Sequence, residues 1–200
     1  MKDVSYKTIS KSSDGFYKEK GSKFLAFAFR VESESDVKTH QEALRKQYHD
    51  ARHHCYAYRI NKGDAVYERA NDDGEPNHSA GDPILGQIKS FELSNTLVVV
   101  IRYFGGTKLG VSGLINAYKT ATEEALSIAP TIIITLKQSF ELIFPYDKTS
   151  DVQRLISEFA VDVIDQQFLE NCTLIGELVP SKIEGFKKKI KLAGVLCKEK

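Results

Sequence analysis

The stretch that most constrains this chain is TLVVVIRY, Thr96 to Tyr103, with the FGGTKLGVSGL that follows it to Leu114. With an apolar, β-branched run from Leu97 to Ile101, Thr96 to Tyr103 reads as a buried central strand. Beyond it Leu114, Tyr118, Ala121, Ala125 and Ile128 recur at steps of four, three, four and three, the spacing of one buried helical stripe closed by Pro130. A helix with such a stripe packs on a sheet. Between strand and helix the chain passes through Gly105, Gly106, Gly110 and Gly113, so an open loop must carry the backbone from one element into the other.

These glycines match neither G-x-G-x-x-G nor the phosphate-binding loop that ends in Lys-Ser/Thr, which disfavours both standard nucleotide sites. A more general chemistry remains. A helix that begins near Ser112 presents unsatisfied N–H groups with partial positive charge, and glycines let further amides turn toward an anion. Arg102 and Lys108 would add charge-assisted contacts, and Arg52 is placed to join them. The alternative is that the glycines serve only positive φ and close packing.

Thr96–Ile101 and Thr131–Leu136 are the longest apolar runs, far short of the roughly 20 residues a membrane helix needs, so no membrane partner is expected. The first ten residues lack an apolar signal core, which makes a cytoplasmic location the expectation. Cys55, Cys172 and Cys197 are scattered without zinc spacing and read as reduced thiols. Basic residues exceed acidic ones by one, 28 against 27, too little for a global field that would mark a nucleic-acid binder. Charge is uneven along the chain, however: Lys2 to Arg30 holds seven basic and three acidic residues, which leaves room for a local basic face.

The remaining pattern predicts two α+β domains, residues 1–137 and 138–200. In the first, Lys23–Val31 and His54–Ile60 read as strands, with a short one around Val66–Arg69 after the Asn61–Asp64 turn. Ser33 and Asp36 have capping-box spacing before a helix that carries Val37, Gln41, Leu44 and Tyr48 and ends near His49. Pro83 suits the first turn of a short helix before the central strand, and TIIITL adds another strand, with the helices on one face of the sheet. In the second domain FELIF is a strand that turns Phe140, Leu142 and Phe144 to one side. A helix with Val152, Leu155, Ile156 and Phe159 follows, then strands near Val161–Phe168 and Thr173–Val179. A last helix has a Ser181–Glu184 capping box, Ile183, Phe186 and Ile190 inward, and Gly194 as its stop. With a final strand at GVLCK, this is the split βαβ, ferredoxin-like order.

Two other segments could carry chemistry. NDDGEPNHSAGDP, Asn71 to Pro83, gathers Asp72, Asp73, Glu75, His78 and Asp82, but the spacing is not that of a calcium loop. The plainer reading is a turn whose carboxylates cap amides or pair with Arg102 and Arg69. No metal and no cofactor are expected. In ARHHCYAYR, strand alternation leaves only His53 able to assist Cys55, without an orienting group or an oxyanion site, so a buried, inert cysteine is expected. The run Lys187–Lys189 with Lys191 reads first as a solvated helix face and only secondarily as a phosphate contact.

Together GSKF, ARHHCYAYRI, NDDGEPNHSAGDPIL and VVVIRYFGGTKLGVSGLINAY resemble the IMPACT family, in particular its bacterial YigZ branch, over essentially the whole chain. The resemblance implies a first domain like the second domain of a small-subunit ribosomal protein and domain IV of elongation factor G, and a ferredoxin-like second domain resembling domain V of that factor. It also implies a link to translation, since eukaryotic members regulate it by antagonising activation of an initiation-factor kinase. No enzymatic activity is implied. Two departures stand out: His78, Ser79, Ala80 and Gly81 replace the family's G-T-A-G, and Ser112 and Asn116 stand where it commonly has glycine and arginine.

Three functional readings follow. In the first, a cytoplasmic, non-enzymatic protein binds nucleic acid or the ribosome and influences translation through Arg52, Arg102, Gly105, Gly106, Lys108, Gly110 and Ser112, while Tyr103 and Phe104 either pack in the core or stack on bases. In the second, His53, Asp72, Asp73 and Glu75 act on a phosphorylated small molecule at the mouth of the loop. In the third, an exposed apolar patch makes the chain a protein-interaction module.

Overall fold

The computed structural model describes residues 3–62, 65–169 and 171–199. Gly63 and Asp64, in the expected Asn61–Asp64 turn, lie outside the described residues. The chain forms two compact α+β units: Tyr6–Ile134, and the described residues of Thr135–Lys200 with those of Met1–Ser5.

The larger unit is built on β2 (Ser13–Glu19), β3 (Ser22–Arg30), β4 (His53–Lys62), β5 (Ala65–Asn71) and β6 (Thr96–Tyr103), joined antiparallel in the order β2-β3-β6-β4-β5. Its helices are α1 (Glu34–Gln47), α2 (Gly81–Ser90) and α3 (Gly110–Ser127). β6 is the middle strand and is buried from Thr96 to Arg102. Val98 and Val100 point into a core with Phe24, Ala26, Cys55 and Ala57 and with the inner faces of α2 and α3. Leu97, Val99 and Ile101 point the other way, into a core with Tyr58, Ile60 and, from α1, Val37 and Leu44. The sheet is therefore covered on both faces, which corrects the expectation of helices on one. A strand that is apolar at consecutive positions has no solvent face and needs cover on each side.

Ser33 caps α1 as expected, accepting from the Asp36 amide while the Asp36 carboxylate accepts from the Ser33 amide. Three other expectations are corrected. Ile128 is 67% exposed, because α3 ends at Ser127 and the stripe ends with it. β7 (Thr131–Thr135) does not join the main sheet and pairs instead with β1 (Ser5–Ile9) in a two-stranded one. α3 begins at Gly110, two residues before Ser112. Strands β1 and β2 have no clear counterpart in the sequence pattern. In SDGFYKE the side chains alternate between half-buried and exposed, but Phe16 and Tyr17 are adjacent and the rest are small or charged, so no period of two stands out.

The smaller unit runs β8 (Gln138–Pro145), α4 (Thr149–Phe159), β9 (Asp162–Gln167), β10 (Asn171–Leu178), α5 (Pro180–Leu192) and β11 (Leu196–Glu199), antiparallel in the order β11-β8-β10-β9. That is the ferredoxin-like arrangement. Phe140, Leu142 and Phe144 meet Val152, Leu155, Ile183, Phe186 and Ile190 in its core. Gly194, at φ 74°, follows the end of α5 as expected. The Ser181–Glu184 capping box does not form: Val179 is the N-cap, Pro180 takes the first helical position, and the Ser181 amide and hydroxyl donate to Asp3 at 2.9 Å each. On α5, Lys187 pairs with Glu199 and Lys189 with Glu158, as a solvated, ion-paired face would. Among the described residues no helix is long and apolar enough to cross a membrane.

Close packing of α3 on β2 depends on Gly15, where a Cβ would lie 2.4 Å from Ala125 N and 2.8 Å from Ala121 O. Both contacts are backbone and cannot rotate away. Gly15→Ala should therefore lower stability by about 1–3 kcal/mol in urea unfolding, without changing the fold by far-UV circular dichroism.

Candidate nucleic-acid interface

β6 carries Arg102 to the end of the sheet face that α3 covers, in register with Phe24 on β3 and His53 on β4. The guanidinium carbon lies 5.5 Å from the Phe24 ring centre and 5.7 Å from that of Phe104. Buried arginine needs a counter-charge. Glu75 supplies it: Arg102 Nη1 donates to Glu75 Oε1 at 2.6 Å, and the Tyr118 hydroxyl on α3 donates to the same oxygen at 2.8 Å. Among the described residues Arg102 Nε is buried without a hydrogen-bond partner.

Glu75 is held by the acidic turn. Asp72 accepts the amides of His78, Ala80 and Gly81 at 2.8–2.9 Å, and its carbonyl accepts the Glu75 amide at 2.9 Å. Burial works to raise the Asp72 pKa, but these backbone donors outweigh it and hold the group below its ordinary 3.8. Asp73 accepts the His54 amide at 2.6 Å and Arg45 at 2.9 Å, while its carbonyl lies 2.9 Å from His53 Nδ1. The carboxylates thus cap amides and form ion pairs, but their arginine partners are Arg102 and Arg45, whereas Arg69 was expected beside Arg102. The replacement of G-T-A-G by His78–Gly81 leaves this arrangement whole: the capped amides are backbone groups, and Gly81 keeps the one side chain the site admits, since a Cβ there would meet Asn71 N at 2.5 Å.

Cys55 lies 2.9 Å from the Asp72 carbonyl and 3.3 Å from the Tyr118 hydroxyl. Burial pushes its thiol well above the ordinary range and pushes the Tyr118 phenol up as well, so both stay protonated. Cys55 is no nucleophile.

At the mouth, a hollow of about 340 Å³ is lined by Glu75, Arg102, Phe104 and Lys108 together with Pro76, Leu109, Gly110, Val111 and Leu114. Its carboxylate is already neutralised by Arg102, and Lys108 forms no ion pair among the described residues. Leu109, at the N-cap of α3, makes no side-chain capping bond, so the first amides of the helix are not satisfied by one. Gly106 and Gly110 take φ of 89° and 74° with open space around them. Gly105 has a packing role instead: its amide donates to Ser22 Oγ at 3.1 Å, and a Cβ there would lie 1.9 Å from the Gly21 carbonyl carbon.

Of the expected residues the structure therefore brings together Arg102, Lys108, Gly110 and Glu75 at the hollow, with Gly106 next to them. Arg52 is exposed just before β4, and Ser112 is exposed in the first turn of α3; neither lines the hollow. Asp72 and Asp73, in the turn, and His53, at the start of β4, do not line it. The convergence of His53, Asp72, Asp73 and Glu75 on which the second reading rested is not found: of these four only Glu75 lines the hollow, and it is bound to Arg102. Tyr118 and Ser22 were not singled out as site residues. Tyr118 is the one hydroxyl in a stripe otherwise of alanine, leucine and isoleucine, which was the available signal.

The Impact N-terminal domain matches residues 20–126, and a domain of unknown function, DUF1949, matches residues 142–191. An IMPACT family member from Haemophilus influenzae is 31% identical over 91% of this chain and 89% of its own length. YigZ, the family member from Escherichia coli, is 28% identical over 86% and 84%. A crystal structure of a hypothetical protein covers 96% of both chains at 25% identity with a TM-score of 0.74, in agreement with the two-domain α+β fold. A structure of Yih1, described as a two-domain translational regulator, covers 62% of this chain and 47% of that one at 27% identity, with a TM-score of 0.37. This chain belongs to the IMPACT family.

Two measurements check the charge arrangement. Arg102→Met strands the Glu75 carboxylate and should cost about 3–5 kcal/mol in denaturant unfolding, whereas Arg102→Met with Glu75→Gln should recover part of it. Because the folded Asp72 pKa is depressed, its contribution is present above 3.8 and is lost as pH falls below that value. Asp72→Asn should therefore destabilise at pH 7, and its difference from the unaltered protein should shrink in acid.

Proposed function

We propose that this protein is a cytoplasmic regulator of translation that binds RNA, free or in the ribosome, by gripping phosphate at the glycine loop. The observation that carries the reading is the charge balance at the 340 Å³ hollow: one carboxylate, already paired to Arg102, beside an exposed Lys108 and the uncapped start of α3. Such a mouth favours an anion. Membership of the IMPACT family supports the link to translation that the resemblance implies for its eukaryotic members. The site does no chemistry on this reading, consistent with carboxylates that hold the turn.

Lysines on the neighbouring hairpin widen the positive surface. Gly21 packs against Gly105, which sets the loop next to Lys18, Lys20 and Lys23. Binding should then be governed by counterion release. Fluorescence anisotropy with a labelled single-stranded RNA 12-mer should give an affinity that falls steeply with salt. Lys108→Ala should reduce the slope of log K against log salt by about 0.7, one phosphate's worth on a single strand. A flat salt profile, or an unchanged slope in the variant, would overturn the phosphate grip.

A further inference from the structure

A second and larger hollow, about 480 Å³, lies on the far side of Phe104, the residue that lines both. Its walls are Phe16 on β2, Lys23 and Leu25 on β3, Gly21 in the hairpin turn, and Tyr103 and Phe104 at the end of β6. Strand register explains how they meet. Lys18, Lys23 and Tyr103 lie side by side across β2, β3 and β6, and Phe16, Leu25 and Ile101 form the next row on the same face. Helix α1 covers that face further along, where Phe27 packs on Tyr48 and Phe29 stacks on His40 at 4.1 Å. It does not cover this corner. Phe16 and Phe104 are each 55% exposed, although Phe24, one residue after Lys23 on the opposite face, is fully buried.

Three aromatic rings, one from β2 and two from the end of β6, around a hollow whose lining among the described residues includes a lysine and no carboxylate, make an apolar seat for something flat with an anionic tail. We propose that this hollow seats one unpaired base of a single-stranded RNA, stacked on Phe16 and Phe104, while Lys18 and Lys23 contact the flanking phosphates. The inference rests on the RNA-binding reading above and adds a base site to its phosphate site. Stacking on aromatic rings is how unstacked bases are held without sequence readout, and a base inside a duplex cannot enter such a seat. The nearby acids leave it open: the Asp50 carboxylate accepts from the Tyr103 hydroxyl at 2.7 Å, and Asp14 lies a further row away beside Phe27. Phe104 as a shared wall puts the base next to the glycine loop, so one nucleotide could span both hollows.

The test uses the full chain and two probes, a single-stranded RNA 12-mer of uridines and an abasic ribose-phosphate chain of the same length. Phe16→Ala should bind the RNA about tenfold more weakly with the same salt slope, and should bind the abasic chain as the unaltered protein does. Phe16→Tyr should restore RNA binding. Phe16→Leu, which keeps an apolar side chain on β2 but removes the ring, should behave as Phe16→Ala does and guards against a folding artefact, with Tm as the control. If Phe16→Ala and Phe16→Leu bind RNA normally, or weaken the abasic chain equally, the base seat is overturned while the phosphate grip stands. If Lys108→Ala leaves the salt slope unchanged while Phe16→Ala weakens RNA, the grip fails and the seat stands. Absence of any RNA binding, or capture of the corner by a protein partner instead, overturns the seat.

Discussion

The buried ion pair between Arg102 and Glu75 is the interaction on which the rest of the larger unit depends. It joins three parts of the chain that are distant in sequence: the end of the central strand, the acidic turn, and α3 through the Tyr118 hydroxyl. Taking both charges out of water is costly, and the pair persists because one carboxylate oxygen accepts from a guanidinium and a phenol together. A hydrophobic replacement of similar volume could hold the same elements as firmly. What it could not do is fix the turn at the mouth of the glycine loop with its carboxylates facing inward.

That inward commitment decides the electrostatics of the surface. Asp72 is spent on three amides, Asp73 on a strand amide and Arg45, and Glu75 on Arg102. A net charge of +1 for the whole chain gives no hint of a cationic site. The site arises locally, because acids close to it in space are neutralised from within while Lys108 and the hairpin lysines remain at the surface. The same arrangement leaves Glu75, the carboxylate that lines the hollow, held in an ion pair with Arg102.

Much of this was legible in the sequence. The central strand was read with its observed ends, the α1 capping box was read from Ser33 and Asp36, and the split βαβ order of the smaller unit followed from periodicity with helix-end signals. Each rests on local signals, namely apolar runs, cap chemistry and helical spacing. The misreadings have non-local causes. Cover on both faces of the sheet was implied by consecutive apolar residues in β6, but which helix supplies it depends on topology. The Ser181 cap lost to a partner far away in sequence, Asp3, and to Pro180, which sets the helix start. Gly105 looked like an anion-binding glycine. Its tight approach to Gly21, and the Ser22 hydroxyl under its amide, become visible only when two hairpin residues and one loop residue are placed together.

On the RNA-binding proposal, the two hollows that share Phe104 would divide recognition by its physics. The one at the glycine loop has charge and amide donors, which act on any phosphate. The other has rings and apolar carbon, and its one charged lining residue is a lysine. Neither presents a row of fixed donors and acceptors matched to a base edge, the feature that distinguishes one base from another. Binding through them would discriminate unpaired from paired strands and would be tolerant of sequence, as stacking platforms are. If the proposal holds, such a surface would suit a protein that meets exposed single strands on a large RNA, where location is set by which bases are unpaired, better than one that must find a particular sequence.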